Sequence, residues 1–281
     1  MIINPENYFL ILIGIIWIVG GVLQDLKRRE VDNLWNFSLI AVAFTYRLVV
    51  SVYNNDYWFI LNGLLGFVIF LGLGNLFYYS RLFAGGDAKM LISLGVILPL
   101  SYEWMGNFKI FGIFLVASFV GGSIYSLIWV LCLMIRNFNK FKKDFSRNAK
   151  KYKKLFLISM IFCILWVIFV LIISEIFLLS LAFIILLFPV LFVLAKSVEE
   201  GSMVKLVNPL QVTEGDWLYR DIIVNGKRIK ANWEGVSREE LRLIQKNYKK
   251  KVLIKYGIPF TPAFLIGFLI LLGLIWKGFW V

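Results

Sequence analysis

Histidine is absent from this chain of 281 residues. That absence removes Ser-His and Cys-His nucleophile pairs, the usual zinc sites and imidazole proton relays together. Cysteine is nearly absent too. Cys132 and Cys163 each sit inside an apolar run, with no Cys-x-x-Cys spacing. A disulfide framework is therefore excluded, and both thiols are expected to be buried and to behave as small hydrophobes. Charge is sparse at 17% of residues, and negative charge sparser: 17 Asp and Glu face 30 Lys and Arg. Neither repeats nor low-complexity tracts occur. Any chemistry must rest on carboxylates, lysines, tyrosines or hydroxyls.

What is present is apolar. Hydrophobic residues make up 60% of the chain and mean hydropathy is +0.81. That composition reads as an all-α polytopic membrane protein. The 26 Phe and 10 Trp suit lipid-facing and interfacial positions. A net charge of +13 in a soluble protein points to nucleic acid, but here Lys and Arg collect between apolar runs and set topology, so no nucleic-acid partner is expected. About 20 apolar residues make a span. Candidates are 8–23, 34–53, 57–79, 88–105, 108–135, 155–173, 176–195 and 258–280. This reads as eight helices, with six to eight the bounds. The first lacks a small-residue cleavage site and is expected to be a retained span. Loops at 24–33, 80–89, 136–154 and 196–257 are basic, the third carrying nine Lys and Arg, while 1–7, 54–56 and the Ser174-Glu175 turn carry none. The basic loops are thus expected on the cytoplasmic side and the N-terminus outside.

Four parts are expected: catalytic helices in 1–135, a basic loop plus an apolar helix pair in 136–195, a small cytoplasmic α+β domain in 196–257, and a last span in 258–281. In the third, Trp217–Val224 reads as a strand. Asn225-Gly226 is a hairpin turn signal and Lys227–Lys230 the returning strand. Ser237 and Glu240 match a capping box ahead of a helix over 238–250, and Val252–Lys255 reads as a further strand.

Two carboxylates stand apart from the loop acids Glu6, Asp56, Glu103, Asp144 and Glu175, which read as solvated. Asp25 ends the first span, and Asp87 follows Gly85-Gly86 at the edge of the fourth. A charge there is costly unless paired, hydrated or functional. Asp25 also reads as a boundary acid balanced by Lys27, Arg28 and Arg29, and Asp87 as a helix N-cap. The glycines suggest a place where backbone approaches backbone or substrate. The charge pattern puts both aspartates on the cytoplasmic side. If they meet, they cannot both ionise, and the pair shares a proton near working pH. The ionised member then takes a proton from water attacking a peptide carbonyl; the protonated member polarises that carbonyl and later protonates the leaving amine. No metal or cofactor is required.

Asp87 within Ala84-Gly85-Gly86-Asp87-Ala88-Lys89 resembles the GxGD signature of membrane aspartyl proteases, with Ala84 in place of the first glycine. Asp25-Leu26-Lys27-Arg28-Arg29-Glu30-Val31-Asp32-Asn33 is similar to the first-aspartate segment of type IV prepilin peptidases and archaeal preflagellin peptidases. Thr213-Glu214-Gly215-Asp216-Trp217-Leu218 and Gly257-Ile258-Pro259-Phe260-Thr261-Pro262-Ala263-Phe264 resemble the cytoplasmic insert and last helix of the archaeal branch. The resemblance implies catalytic Asp25 and Asp87, with Gly85, Gly86 and Lys89 shaping the site. It implies cleavage of short basic leader peptides from pilin-like or archaellin precursors at the cytoplasmic face of the cell membrane. Bacterial relatives that also methylate the new N-terminus often carry a four-cysteine zinc loop; with none here, peptidase activity alone is expected. Glu30 and Asp32 lie on the same side and are candidates to attract a basic leader, though as topogenic loop acids they need no such role. A different class, a transporter using Asp25 and Asp87 as proton or cation sites, predicts inverted repeats, which are not evident. A scaffold role, with 136–154 holding anionic membrane lipid, is compatible with peptidase activity.

Overall fold

A computed structural model describes residues 5–278. Parts of the expected 1–7 segment and the far end of the expected 258–280 span lie outside the described residues. The chain forms two compact units, Met1–Leu127 with Ile258–Val281, and Ile128–Gly257. Among the described residues, six helices are long and apolar enough to cross a membrane: Pro5–Arg28, Asn33–Asn54, Trp58–Tyr79, Trp104–Arg136, Lys153–Ile173 and the stretch Ile176–Met203.

In the first unit, α1 (Pro5–Arg28) carries Glu6 in its first turn and Lys27 and Arg28 in its last, matching the helix dipole. It stops at Arg29, whose φ of 62° leaves the helical region. The chain then reverses into α2 (Asn33–Asn54), which ends at a left-handed Asn55. The two helices are clasped by a reciprocal pair: the Trp17 indole donates to the Trp35 carbonyl at 3.0 Å and the Trp35 indole to the Trp17 carbonyl at 2.9 Å.

After α3 (Trp58–Tyr79), the expected fourth span at 88–105 is not a continuous helix. Only α4 (Gly85–Leu94) is helical, and residues 95–103 run on as turns and extended chain, with 95–101 buried inside the bundle. Glycines let this segment lie against α3. A Cβ on Gly66 would overlap the Gly95 carbonyl, and one on Gly95 would come within 2.5 Å of Phe70 Cβ. At the far end, Asn7 donates to the Leu100 carbonyl at 2.9 Å and the Tyr102 hydroxyl to Glu6 at 2.5 Å.

Interior carbonyls freed where a helix breaks need donors. Arg47 of α2, fully buried, supplies them. Its guanidinium donates to the carbonyls of Val96 (2.8 Å), Phe59 (2.9 Å), Pro99 (2.7 Å) and Ile97 (3.4 Å). α5 (Trp104–Arg136) continues from the first unit into the second. α10 (Thr261–Trp276) returns to pack on α1 and α4.

In the second unit the expected basic loop 136–154 is largely a helix, α6 (Phe138–Lys151). Asp144, expected to be solvated there, is buried and paired with Arg147 at 2.9 Å. α7 (Lys153–Ile173) and α8 (Leu179–Val198) follow, turned at Ser174 with φ 58°. Cys163 is buried as expected, whereas Cys132 on α5 is exposed. Pro189 inside α8 lacks the N–H that would bond the Ile185 carbonyl four residues back, and the Ser159 hydroxyl of α7 donates to that carbonyl instead.

The small α+β part holds β1 (Val204–Val207), β2 (Trp217–Leu218), β3 (Ile222–Val224), β4 (Lys227–Ile229), α9 (Arg238–Asn247) and β5 (Val252–Lys255). The expected strand Trp217–Val224 is split: β2 joins an antiparallel sheet in the order β1-β5-β2, and β3 pairs with β4. The split separates two sheets with their own partners, and β1 had no alternating signal to announce it. The Asn225-Gly226 turn is present, with φ of 48° and 79°. So is the capping box, Glu240 N–H donating to Ser237 Oγ at 3.3 Å and Ser237 N–H to Glu240 at 3.0 Å. Val212, Leu218, Val224, Ile229, Val236, Ile244, Val252 and Ile254 form the core.

Candidate active site

Asp25 lies in the last turn of α1, a position where the helix dipole opposes a negative charge. It is nevertheless buried, 6% exposed. Its Oδ2 accepts two hydrogen bonds from a residue 236 positions away: the Thr261 N–H at 3.2 Å and the Thr261 hydroxyl at 2.9 Å. Thr261 opens α10, where N–H groups lack intrahelical partners, and Pro262 beside it has no N–H to give.

Asp87 is in the first turn of α4, too short a helix to count among the spans. Ala84, not Asp87, occupies the N-cap position. Asp87 sits three residues inside and accepts a backbone hydrogen bond from Ala84, the return half of a capping box. Burial, then the nearby Asp25 charge, push its carboxyl up to about 7, against the lowering effect of that hydrogen bond. The two aspartates are thus within each other's electrostatic reach. Tyr125 of α5 lies in the field of Asp25 and Arg29.

The loop ahead of Asp87 is anchored by Phe83, which is buried among Phe77 of α3, Phe119 of α5, and Phe260 and Phe264 at the start of α10. Ring centroids are 5.2, 5.9, 4.9 and 5.7 Å away respectively. One aromatic nest therefore fixes both the Asp87 loop and the helix start that holds Asp25.

Gly85 and Gly86 have ordinary negative φ, and a Cβ on either meets only ordinary contacts, Tyr78 at 3.8 Å and the Val31 nitrogen at 3.5 Å. Packing within the protein does not require glycine there; room for an approaching chain is what remains of the expectation. Lys89 donates to the Asn33 side chain at 2.7 Å, tying α4 to the start of α2. Glu30 is exposed. Asp32 is exposed and paired with Arg28 at 3.0 Å. Beside it opens a cleft of about 480 Å³ lined by Asp32, Asn33, Leu34, Trp35 and Ser38. Among the described residues, no group of His, Cys, Asp and Glu is arranged to hold a metal.

Sequence reading missed Thr261, Phe83 and Arg47. The Arg47 signal was in view: one arginine inside an apolar run must face the bundle interior. Thr261 and Phe83 carry no such mark, since a threonine before proline and a phenylalanine in an apolar chain are ordinary.

Residues 11–127 match the family model of the type IV leader peptidase family. This part of the chain is similar to that family. Within it lie both candidate aspartates; α10 and Thr261 lie beyond. The chain is 29% identical over 134 residues to a preflagellin peptidase of Methanococcus maripaludis, 45% of this chain and 57% of that protein. It is 26% identical over 88 residues to a preflagellin peptidase of Methanocaldococcus jannaschii, 31% of this chain and 37% of that protein. A preflagellin peptidase of Methanococcus voltae is 24% identical over 87 residues, with the same shares of 31% and 37%. The matches thus span between about a third and just over half of these relatives' lengths. No solved structure matches.

Proposed function

We propose that this protein is a member of the type IV leader peptidase family, a membrane aspartyl endopeptidase that removes short basic leader peptides from archaellin or pilin-like precursors at the cytoplasmic membrane face. One observation carries the reading: two carboxylates, from the end of α1 and the start of α4, lie in each other's field, and the Asp87 carboxyl is raised to about 7. Such a pair holds one proton at neutral pH. Its ionised member takes a proton from water as the oxygen attacks the scissile carbonyl. Its protonated member hydrogen-bonds that carbonyl, and the leaving nitrogen takes a proton as the C–N bond breaks. Gly85 and Gly86 leave space for the substrate backbone. Glu30, Asp32 and the neighbouring cleft offer negative charge and room to a basic leader. Peptidase activity alone, without methylation of the new N-terminus, is the expectation.

The test is co-expression with a tagged precursor. Asp25→Asn and Asp87→Asn should each abolish cleavage while the protein still inserts; a variant that keeps cleaving refutes the two-carboxylate mechanism.

Anionic membrane lipid is the second expected partner. α6 exposes Lys140, Lys142, Lys143, Lys150 and Lys151 beside an aromatic row, Phe138, Phe141 and Phe145, with ring spacings of 6.5 and 5.6 Å. Basic and aromatic faces on one helix suit the headgroup boundary. With about 1 kcal/mol per lysine near an anionic surface, replacing these five by Gln should reduce co-purification of anionic lipid, measured against zwitterionic lipid. An unchanged ratio removes this role.

A further inference from the structure

The dyad is not symmetric, and the asymmetry comes from a helix outside the family match. Asp25 stands at the negative end of α1, where an anion is disfavoured. Without help it is the natural member to hold the proton. Help comes from Thr261: both of its donors converge on the same oxygen, Oδ2, and Thr261 itself is wholly buried, so no water competes for them. The start of α10 faces the carboxylate as well, and a helix N-terminus favours negative charge. Asp87 receives a single backbone hydrogen bond from Ala84 and lies in the first turn of a shorter helix.

We propose that Thr261 is the positioning residue that keeps Asp25 ionised, so that Asp25 is the base that takes the water proton and Asp87 is the acid. With Oδ2 occupied by two donors, Oδ1 is left for the water. Upon attack, the proton passes from water to Asp25, the new C–O bond forms, and the Asp87 proton hydrogen-bonds the carbonyl oxygen. Asp25 then returns its proton to the leaving nitrogen as the C–N bond opens. The charged and titratable groups around Asp25 include Asp87 from α4 and Tyr125 from α5, and Arg29, just past the end of α1, acts on Tyr125 in turn. Hydrogen bonds to charged groups are the strong ones, so loss of the hydroxyl should move the Asp25 titration by about one pH unit.

This inference rests on the peptidase reading, and the test separates the two. Thr261→Val removes the hydroxyl at nearly constant volume; Thr261→Ser keeps it. In the Asp87→Asn background Asp25 titrates without its partner, and its protonated carboxyl is read by infrared spectroscopy in detergent, with no substrate present. Thr261→Val should raise the pH at which Asp25 ionises by about one unit, and Thr261→Ser should leave it in place. In the otherwise wild-type protein, Thr261→Val should lower kcat about tenfold or more, shift the acid limb of the kcat profile upward by a similar amount and leave KM nearly unchanged. Thr261→Ser should restore most of the rate. An unmoved Asp25 titration in Thr261→Val, or Thr261→Ser as impaired as Thr261→Val, overturns the proposal whatever the cleavage assay shows. Failure of the wild-type protein to cut any leader overturns the peptidase reading and leaves the infrared result to decide the role of Thr261.

Discussion

At the scale of single residues, the two aspartates were legible because ionisable groups at the ends of apolar runs are rare and costly. What they touch was not legible. Asp25 is held by a threonine 236 positions later, and no pattern near either residue connects them. The glycines before Asp87 were read as a site of close approach, yet the protein itself leaves space for a Cβ at both. Asp87 also carries a pH prediction. Burial and the Asp25 charge raise its carboxyl to about 7, so it is protonated below that pH and ionises above it. An acid is lost as it ionises, so cleavage should fall as pH rises through about 7. Replacing Asp25 by Asn removes the repelling charge and should lower the Asp87 transition in an infrared titration. A transition that stays put shows that the two carboxylates do not interact.

At the scale of elements, hydropathy finds apolar windows but not breaks within them. The window 88–105 has the length and composition of a span, and nothing in its hydrophobicity says that the helix stops at Leu94. Pro99 gave a hint, since it cannot continue a helix. The break is stable because a donor from another element meets the freed carbonyls, and the same device recurs where Ser159 covers the Ile185 carbonyl opposite Pro189. Both are contacts between helices, and a reading of one segment at a time does not see them. The lysine-rich 136–154 stretch shows the converse error. Its charge suggested a loop, while Phe138, Phe141 and Phe145 recur at helical spacing and form one face of α6. Arg47→Leu tests the device directly. It removes the side-chain donor from the Val96, Ile97 and Pro99 carbonyls at the break, at about 1–3 kcal/mol for each carbonyl left unsatisfied. The variant should insert yet unfold at clearly lower temperature or denaturant, by on the order of 3 kcal/mol or more. Stability within about 0.5 kcal/mol of wild type would mean that another donor, such as water, reaches these carbonyls.

At the scale of the whole molecule, class was the most legible property. Composition and hydropathy alone place the chain among polytopic membrane proteins, and the turn and capping signals in 196–257 locate its small α+β part. The Thr213-Glu214-Gly215-Asp216 segment also has a structural reason. Gly215 has φ 87°, its N–H bonds the Val236 carbonyl at 2.9 Å, and Asp216 accepts from the Thr213 N–H at 2.7 Å. Less legible was how far the site depends on the distant end of the chain. The family match ends at residue 127 with both aspartates inside it, which suggests a self-sufficient catalytic part. The packing argues otherwise. α10 supplies both donors to Asp25 and, through Phe260 and Phe264, half of the nest around Phe83. A chain ending at Gly257 keeps every residue of the matched stretch but exposes an unpaired buried carboxylate and opens that nest. It should insert and still fail to cleave a co-expressed precursor, and supplying residues 258–281 as a separate membrane segment should restore part of the activity. Cleavage at the wild-type rate by the shortened chain would show that the matched stretch positions its own aspartates, and that α10 contributes stability alone.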